Sequence, residues 1–164
     1  MLKDANKLVQ TTVLAASGLA LGVALEWYKL AEPSKNREVT LQNQVPTLFI
    51  HGYAGTRLSS GLMIKRFEHY GWGQKSTVIV VKADGRLKIK GDPSIPGGFI
   101  QVLFDKNRMS IIHQTDWLWR LMSYLKNNYD IEKINIIAHS MGGVTVLNFL
   151  SKFGIADRVP HVEK

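Results

Sequence analysis

The segment Ala138-His139-Ser140-Met141-Gly142-Gly143 sets a serine among small residues, directly after the apolar run Lys133-Ile134-Asn135-Ile136-Ile137-Ala138. A serine on a sharp strand-to-helix turn projects its hydroxyl from the C-terminal edge of a sheet, provided that the residues two before and two after it are small. Ala138 and Gly142 hold those positions, with alanine in place of the glycine of the G-x-S-x-G pattern. In such a turn Ser140 is a nucleophile toward a carbonyl carbon. The N–H of Met141 then points at the developing oxyanion, reinforced by the positive end of the helix that starts there. A second donor is expected from His51-Gly52-Tyr53, at the end of another apolar run. Tyr53 supplies the N–H, and His51 and Gly52 support the loop.

The remaining candidates are weaker. His51 is near the expected site, but as a support of the oxyanion loop rather than a base. His69 and His113 fall at a helix end and a helix start, where capping or surface roles suffice. No histidines and carboxylates have metal-ligand spacing, so no metal is expected. Cysteine is absent, which excludes disulfides, thiolate metal sites, a cysteine nucleophile and a lipidated lipoprotein N-terminus.

These residues need strands and helices to position them. Pro46-Thr47-Leu48-Phe49-Ile50-His51 reads as a buried strand ending in the turn Gly52-Tyr53-Ala54-Gly55. Thr56 caps a helix with Leu58, Leu62 and Phe67 at helical spacing, closed by Gly71 or Gly73. Thr77 to Val81 is the second buried strand. Between Asp84 and Asp105 the alternation breaks: Arg86 to Lys90 alternates polar and apolar and Phe99 to Phe104 is β-prone, which predicts an inserted hairpin. A helix over Ile111 to Asn127, the strand Lys133 to Ala138 and a helix from Gly142 to Lys152, ending at Gly154, complete the pattern. Strands alternating with helices specify an α/β fold, a mostly parallel sheet with helices on both faces.

The N-terminus differs from the rest. Lys3 and Lys7 precede a largely apolar run, Leu8 to Leu25, followed by Glu26-Trp27-Tyr28-Lys29. The run is about long enough to cross a bilayer, and the lysines and aromatics suit an anchor with its N-terminus inside. An N-terminal hydrophobic helix serving as a signal-anchor is therefore expected over residues 1–30. The alternative is a signal peptide cleaved near Ala15-Ala16-Ser17 or Gly22-Val23-Ala24. Either places the domain at the cell membrane, facing outside, or in the secreted fraction. Residues 31–44 read as a linker and 45–164 as the domain. The net charge of +8 favours anionic surfaces. No basic cluster is interleaved with aromatics, so no nucleic-acid partner is expected.

The stretches Pro46 to Thr56, Lys82 to Asn107 and Asn135 to Gly143 together resemble the lipase-like α/β hydrolases that bacteria carry at or outside the cell membrane. The resemblance implies hydrolysis of a small-molecule or lipid carboxylic ester by a Ser-Asp-His triad, without metal or cofactor. It also implies that His139 packs inside. One departure is large. The triad runs serine, acid, histidine along the chain, and only 24 residues follow Ser140. These include Asp157 and His161, but the intervening helix of about 11 residues carries the chain roughly 16 Å away from the serine. The expectation is thus a partial α/β-hydrolase fold, an N-terminal portion that keeps nucleophile and oxyanion hole, lacks acid and base, and leaves Lys133 to Ala138 as an edge strand. A non-catalytic, membrane-anchored interaction module and an acyltransferase are the alternatives.

Overall fold

The computed structural model describes residues 17–30, 32–33 and 44–164. Residues 17–29 form helix α1. Then follow β1 (Thr47–Ile50), α2 (Arg57–His69), β2 (Lys75–Val81), β3 (Leu87–Gly91), β4 (Phe99–Phe104), α3 (Ile111–Tyr129), β5 (Lys133–Ala138), α4 (Met141–Phe153) and β6 (His161–Val162). The strands form one six-stranded sheet of order β3-β2-β4-β1-β5-β6. All neighbours pair parallel except β2 with β3.

The expected α/β architecture stands, with one correction to the inserted hairpin. Phe99–Phe104 does not pair with the segment before it. It enters the middle of the sheet as β4, parallel to both β1 and β2, and the antiparallel pair is β2 with β3. The burial of the two segments explains the difference. Every residue of Phe-Ile-Gln-Val-Leu-Phe is buried, as suits a strand covered on both faces. Leu-Lys-Ile-Lys-Gly alternates, with its lysines outward, as suits an edge.

A second correction concerns β5. His161–Val162 begins a strand that pairs with Lys133 and Ile134, so only the later part of β5 lacks a neighbour on that side among the described residues. The side chains follow: Ile134 and Asn135 are buried, whereas Ile136, Ile137 and Ala138 are half-exposed.

The two faces of the sheet carry separate cores. Leu48, Ile50, Ile79, Ile100, Val102 and Phe104 pack under α3 and α4. On the other face Phe49 and Phe99 meet Ile64 of α2, with Phe67 edge-on to both rings. Thr56 caps α2 as its sequence predicts, accepting from the Leu58 N–H at 3.3 Å while the Ser59 hydroxyl accepts from the Thr56 N–H at 2.9 Å. Helix α3 runs one half-turn beyond its expected end and is closed by Asp130 in the left-handed conformation.

The expected membrane-spanning helix is not found: among the described residues no helix is long and apolar enough to cross a bilayer. The first half of the run Leu8 to Leu25 and most of the 31–44 linker lie outside the described residues. What is described of the run is α1, and its side chains are exposed on every side.

Candidate active site

Strand pairing brings the two expected halves of the site together. β1 and β5 run parallel with Ile50 opposite Ala138, and the His139 N–H donates to the Ile50 carbonyl at 3.0 Å. Two residues further along each chain, Gly52 therefore meets Ser140. A Cβ on Gly52 would lie 3.0 Å from both the Ser140 Cβ and the His139 carbonyl oxygen.

Ser140 has φ 54° and ψ −128° and is the N-cap of α4. A non-glycine residue at positive φ is sterically costly, on the order of 1–3 kcal/mol, and persists only where the surroundings impose it. Here the imposing contacts are visible. The Gly142 N–H donates to the His139 carbonyl and the Gly143 N–H to the Ser140 carbonyl, at 3.0 and 2.8 Å. Gly142 also sits where a Cβ would be 2.6 Å from the His51 carbonyl oxygen, so only glycine lets the helix start this close to β1. Nothing lies within 4 Å of a Cβ on Gly143.

The facing loop, Gly52 to Gly55, is held from two sides. His51 is buried; its Nδ1 lies 2.8 Å from the Gly52 carbonyl and its Nε2 accepts from the Phe104 N–H at 3.1 Å. These partners require the neutral ring with the proton on Nδ1. Burial favours the same state and holds the imidazole below the usual histidine pKa. With both nitrogens engaged, His51 has none to offer a nucleophile. From the other side the Asn107 amide donates to the Gly55 carbonyl at 2.8 Å, and the Asn107 carbonyl accepts from the Ala54 N–H at 2.8 Å. Ala54, at φ 54°, is strained like Ser140. The sequence gives no signal for Asn107, because its partners are backbone groups that only the packing of β4 beside β1 brings near.

A cavity of about 260 Å³ lies between the two turns, lined by Gly52, Tyr53, Ala54, Gly55, Ser59, His139 and Ser140. The N–H groups of Tyr53 and Met141 donate no hydrogen bond among the described residues. The Ser140 hydroxyl likewise has no partner there. The cavity is thus lined by the serine and by Tyr53, one of the two unused donors, and the other, Met141, is the residue after Ser140.

His139 departs from expectation. Instead of packing inside, it is exposed and lines the cavity wall. Beside β5 the chain of β6 reaches as far as Ile136, whose N–H donates to the Lys164 carbonyl at 2.8 Å, and among the described residues no strand flanks β5 beyond it on that side. His113 bonds Ser110 at 2.9 Å through Nδ1 in the first turn of α3, and His69 ends α2. Asp157 lies between α4 and β6. His161 pairs with Lys133, at the far end of β5 from the serine, roughly 16 Å of strand from Ala138.

The product of gene lin2722 from Listeria innocua has a similar fold, with a TM-score of 0.67 at 23% identity over 73% of this chain and 49% of that one. The "putative cell surface hydrolase" from Lactobacillus plantarum WCFS1 matches with a TM-score of 0.65 at 21% identity, over 74% of this chain and 51% of that one. The chain thus spans about half the length of the solved structures it matches. No curated protein matches it. The model of a family described as alpha/beta hydrolase of unknown function (DUF915) matches residues 34–164, which include the whole sheet, the serine turn and the facing loop. The chain belongs to this family of alpha/beta hydrolases.

Proposed function

We propose that the chain carries the acyl-transfer half of a serine hydrolase acting on carboxylic esters. Ser140 is the nucleophile, and the N–H groups of Tyr53 and Met141 form the oxyanion hole. The observation that carries this reading is the strained Ser140 backbone at the head of α4, facing the Tyr53 loop across one cavity, with the unpaired Met141 N–H next to it in the chain. Attack of Oγ on an ester carbonyl would give a tetrahedral intermediate whose oxyanion is held by those donors. Loss of the alcohol then leaves an acyl-serine, which water hydrolyses. His51, Gly52 and Asn107 keep the donor loop in place; Ala138, Gly142 and Gly143 shape the elbow.

Among the described residues no carboxylate or imidazole hydrogen-bonds Ser140, which supports the reading that these residues hold the nucleophile without its base. An unactivated hydroxyl is a poor nucleophile, and loss of triad members costs several powers of ten in rate. The 164 residues alone are therefore expected to acylate slowly and turn over negligibly. A fluorophosphonate probe tests the assignment. Slow labelling that disappears in Ser140→Ala supports it; equal labelling of both proteins would refute it.

Location follows the same reading. The apolar N-terminal segment, the exposure of α1 and the description of the Lactobacillus neighbour all favour a domain held at the outer face of the cell membrane, with a small or lipid ester as substrate. A non-catalytic interaction module is the second reading, favoured by the unpartnered Ser140 hydroxyl. Ester hydrolysis by the chain that is lost in Ser140→Ala would exclude it.

A further inference from the structure

Helix α1 poses a packing problem. Its residues Ser-Gly-Leu-Ala-Leu-Gly-Val-Ala-Leu are apolar all round, yet Leu19, Leu21, Val23 and Leu25 remain 58–72% exposed. A helix apolar on every side is normally covered by a core or by lipid. The C-terminal end of α1 touches the body. Leu30 is buried where a Cβ on Gly61 of α2 would meet it, and its carbonyl accepts from the buried Lys75 ammonium at 3.2 Å. Glu26 pairs with Lys65, and the Arg57 guanidinium stands 5.7 Å over the Trp27 ring. Along α2, Leu58 and Leu62 occupy the strip next to Lys65, and both are exposed.

Beside this junction lies a second cavity, of about 110 Å³. Its floor is Val78, Val80 and Leu103, and its rim is Arg57, Lys88 and Lys90. Lys90 pairs with Glu32, which leaves an excess of two positive charges around an apolar floor. Arg57 belongs to both features: it lines the cavity and stacks on Trp27. The apolar helix, the interfacial aromatics Trp27 and Tyr28, and the cationic cavity therefore form one continuous surface.

We propose that this surface docks on an anionic phospholipid bilayer, with α1 and the Leu58/Leu62 strip entering the acyl region and Arg57, Lys88 and Lys90 holding headgroup phosphates. The order of chemistry is that of a bilayer interface: apolar side chains, then an aromatic pair, then cations. A protein partner would suit the apolar helix equally well but gives no account of a cationic rim beside the aromatics. The net charge of +8 works in the same direction. Arg57, at the start of α2, is four residues from Tyr53, which lines the Ser140 cavity. The docking itself does not depend on the hydrolase reading and is testable in Ser140→Ala.

The test is partitioning of the whole chain onto vesicles of phosphatidylcholine alone and of phosphatidylcholine with one third phosphatidylglycerol, for wild type, Lys88→Gln/Lys90→Gln and a control, Lys106→Gln/Lys152→Gln. All four lysines are exposed, and circular dichroism would verify folding. Each cation at an anionic surface is worth about fivefold in partitioning. The first variant should thus lose about 25-fold on the anionic vesicles while binding neutral ones as wild type does. The control should keep most of the anionic preference. An unchanged preference in Lys88→Gln/Lys90→Gln, or an equal loss in the control, would overturn the proposal.

Discussion

Gly142 and Gly143 are adjacent, both helical, and should respond oppositely to alanine. A Cβ at position 142 would lie 2.6 Å from the His51 carbonyl oxygen and 3.1 Å from that of Ile50. Both obstacles are backbone at the end of β1, so neither can rotate away. Relief requires α4 to retreat from the strand by several tenths of an ångström, in a core that resists such shifts. Overpacking of this kind costs about 1–3 kcal/mol, set against a gain of up to about 1 kcal/mol for alanine over glycine in a helix. Gly142→Ala is therefore destabilising by about 1–2 kcal/mol. Gly143→Ala meets nothing within 4 Å and retains only the propensity gain, so it should stabilise by about 0.5–1 kcal/mol. Urea titration followed by circular dichroism measures both. Gly142→Ala should also slow fluorophosphonate labelling, because the retreat separates the Met141 N–H from the Tyr53 loop. Two substitutions of the same sign, or a neutral Gly142→Ala, would refute the claim that contact with β1 holds the serine turn.

Three further outcomes follow from the site and its supports. Asn107→Ala removes the bond to the Gly55 carbonyl and should cost about 1 kcal/mol; hydrogen exchange at Gly52 to Gly55 should quicken, and unchanged exchange would show that Asn107 does not hold the loop. His51 has a folded pKa depressed by burial, so its contribution is complete above the unfolded value of 6.5 and is lost as pH falls through the folded value. Protonation at Nε2 breaks the Phe104 bond, so the stability difference between wild type and His51→Gln should shrink from pH 7 toward pH 4, and a constant difference would count against this tautomer. Asp130 closes α3 at φ 52°, where glycine is unstrained, so Asp130→Gly should raise the midpoint of unfolding by about 0.5–1 kcal/mol equivalent.

What the sequence determined by itself is local. The apolar runs at Leu48, Ile79 and Ile136, the cap at Thr56, and the small residues around Ser140 each state their conformation within a few positions. For that reason strands β1 to β5, helices α2 to α4, the serine turn and the facing loop are legible from residue types and spacing. The tertiary structure decided whatever depends on which strands become neighbours. Phe99–Phe104 could be read as one arm of a hairpin because a β-prone run does not state its partner. Its burial between β1 and β2 is a property of the whole sheet. The same holds for His139, whose exposure depends on how far β6 extends beside β5, and for Asn107, whose bonds cross from β4 to the loop after β1. The grip of Lys75 and Arg57 on the end of α1 joins residues more than 25 positions apart. Side-chain chemistry at a turn is written in adjacent residues, whereas contacts between distant segments arise only when the sheet closes and selects which backbone groups meet.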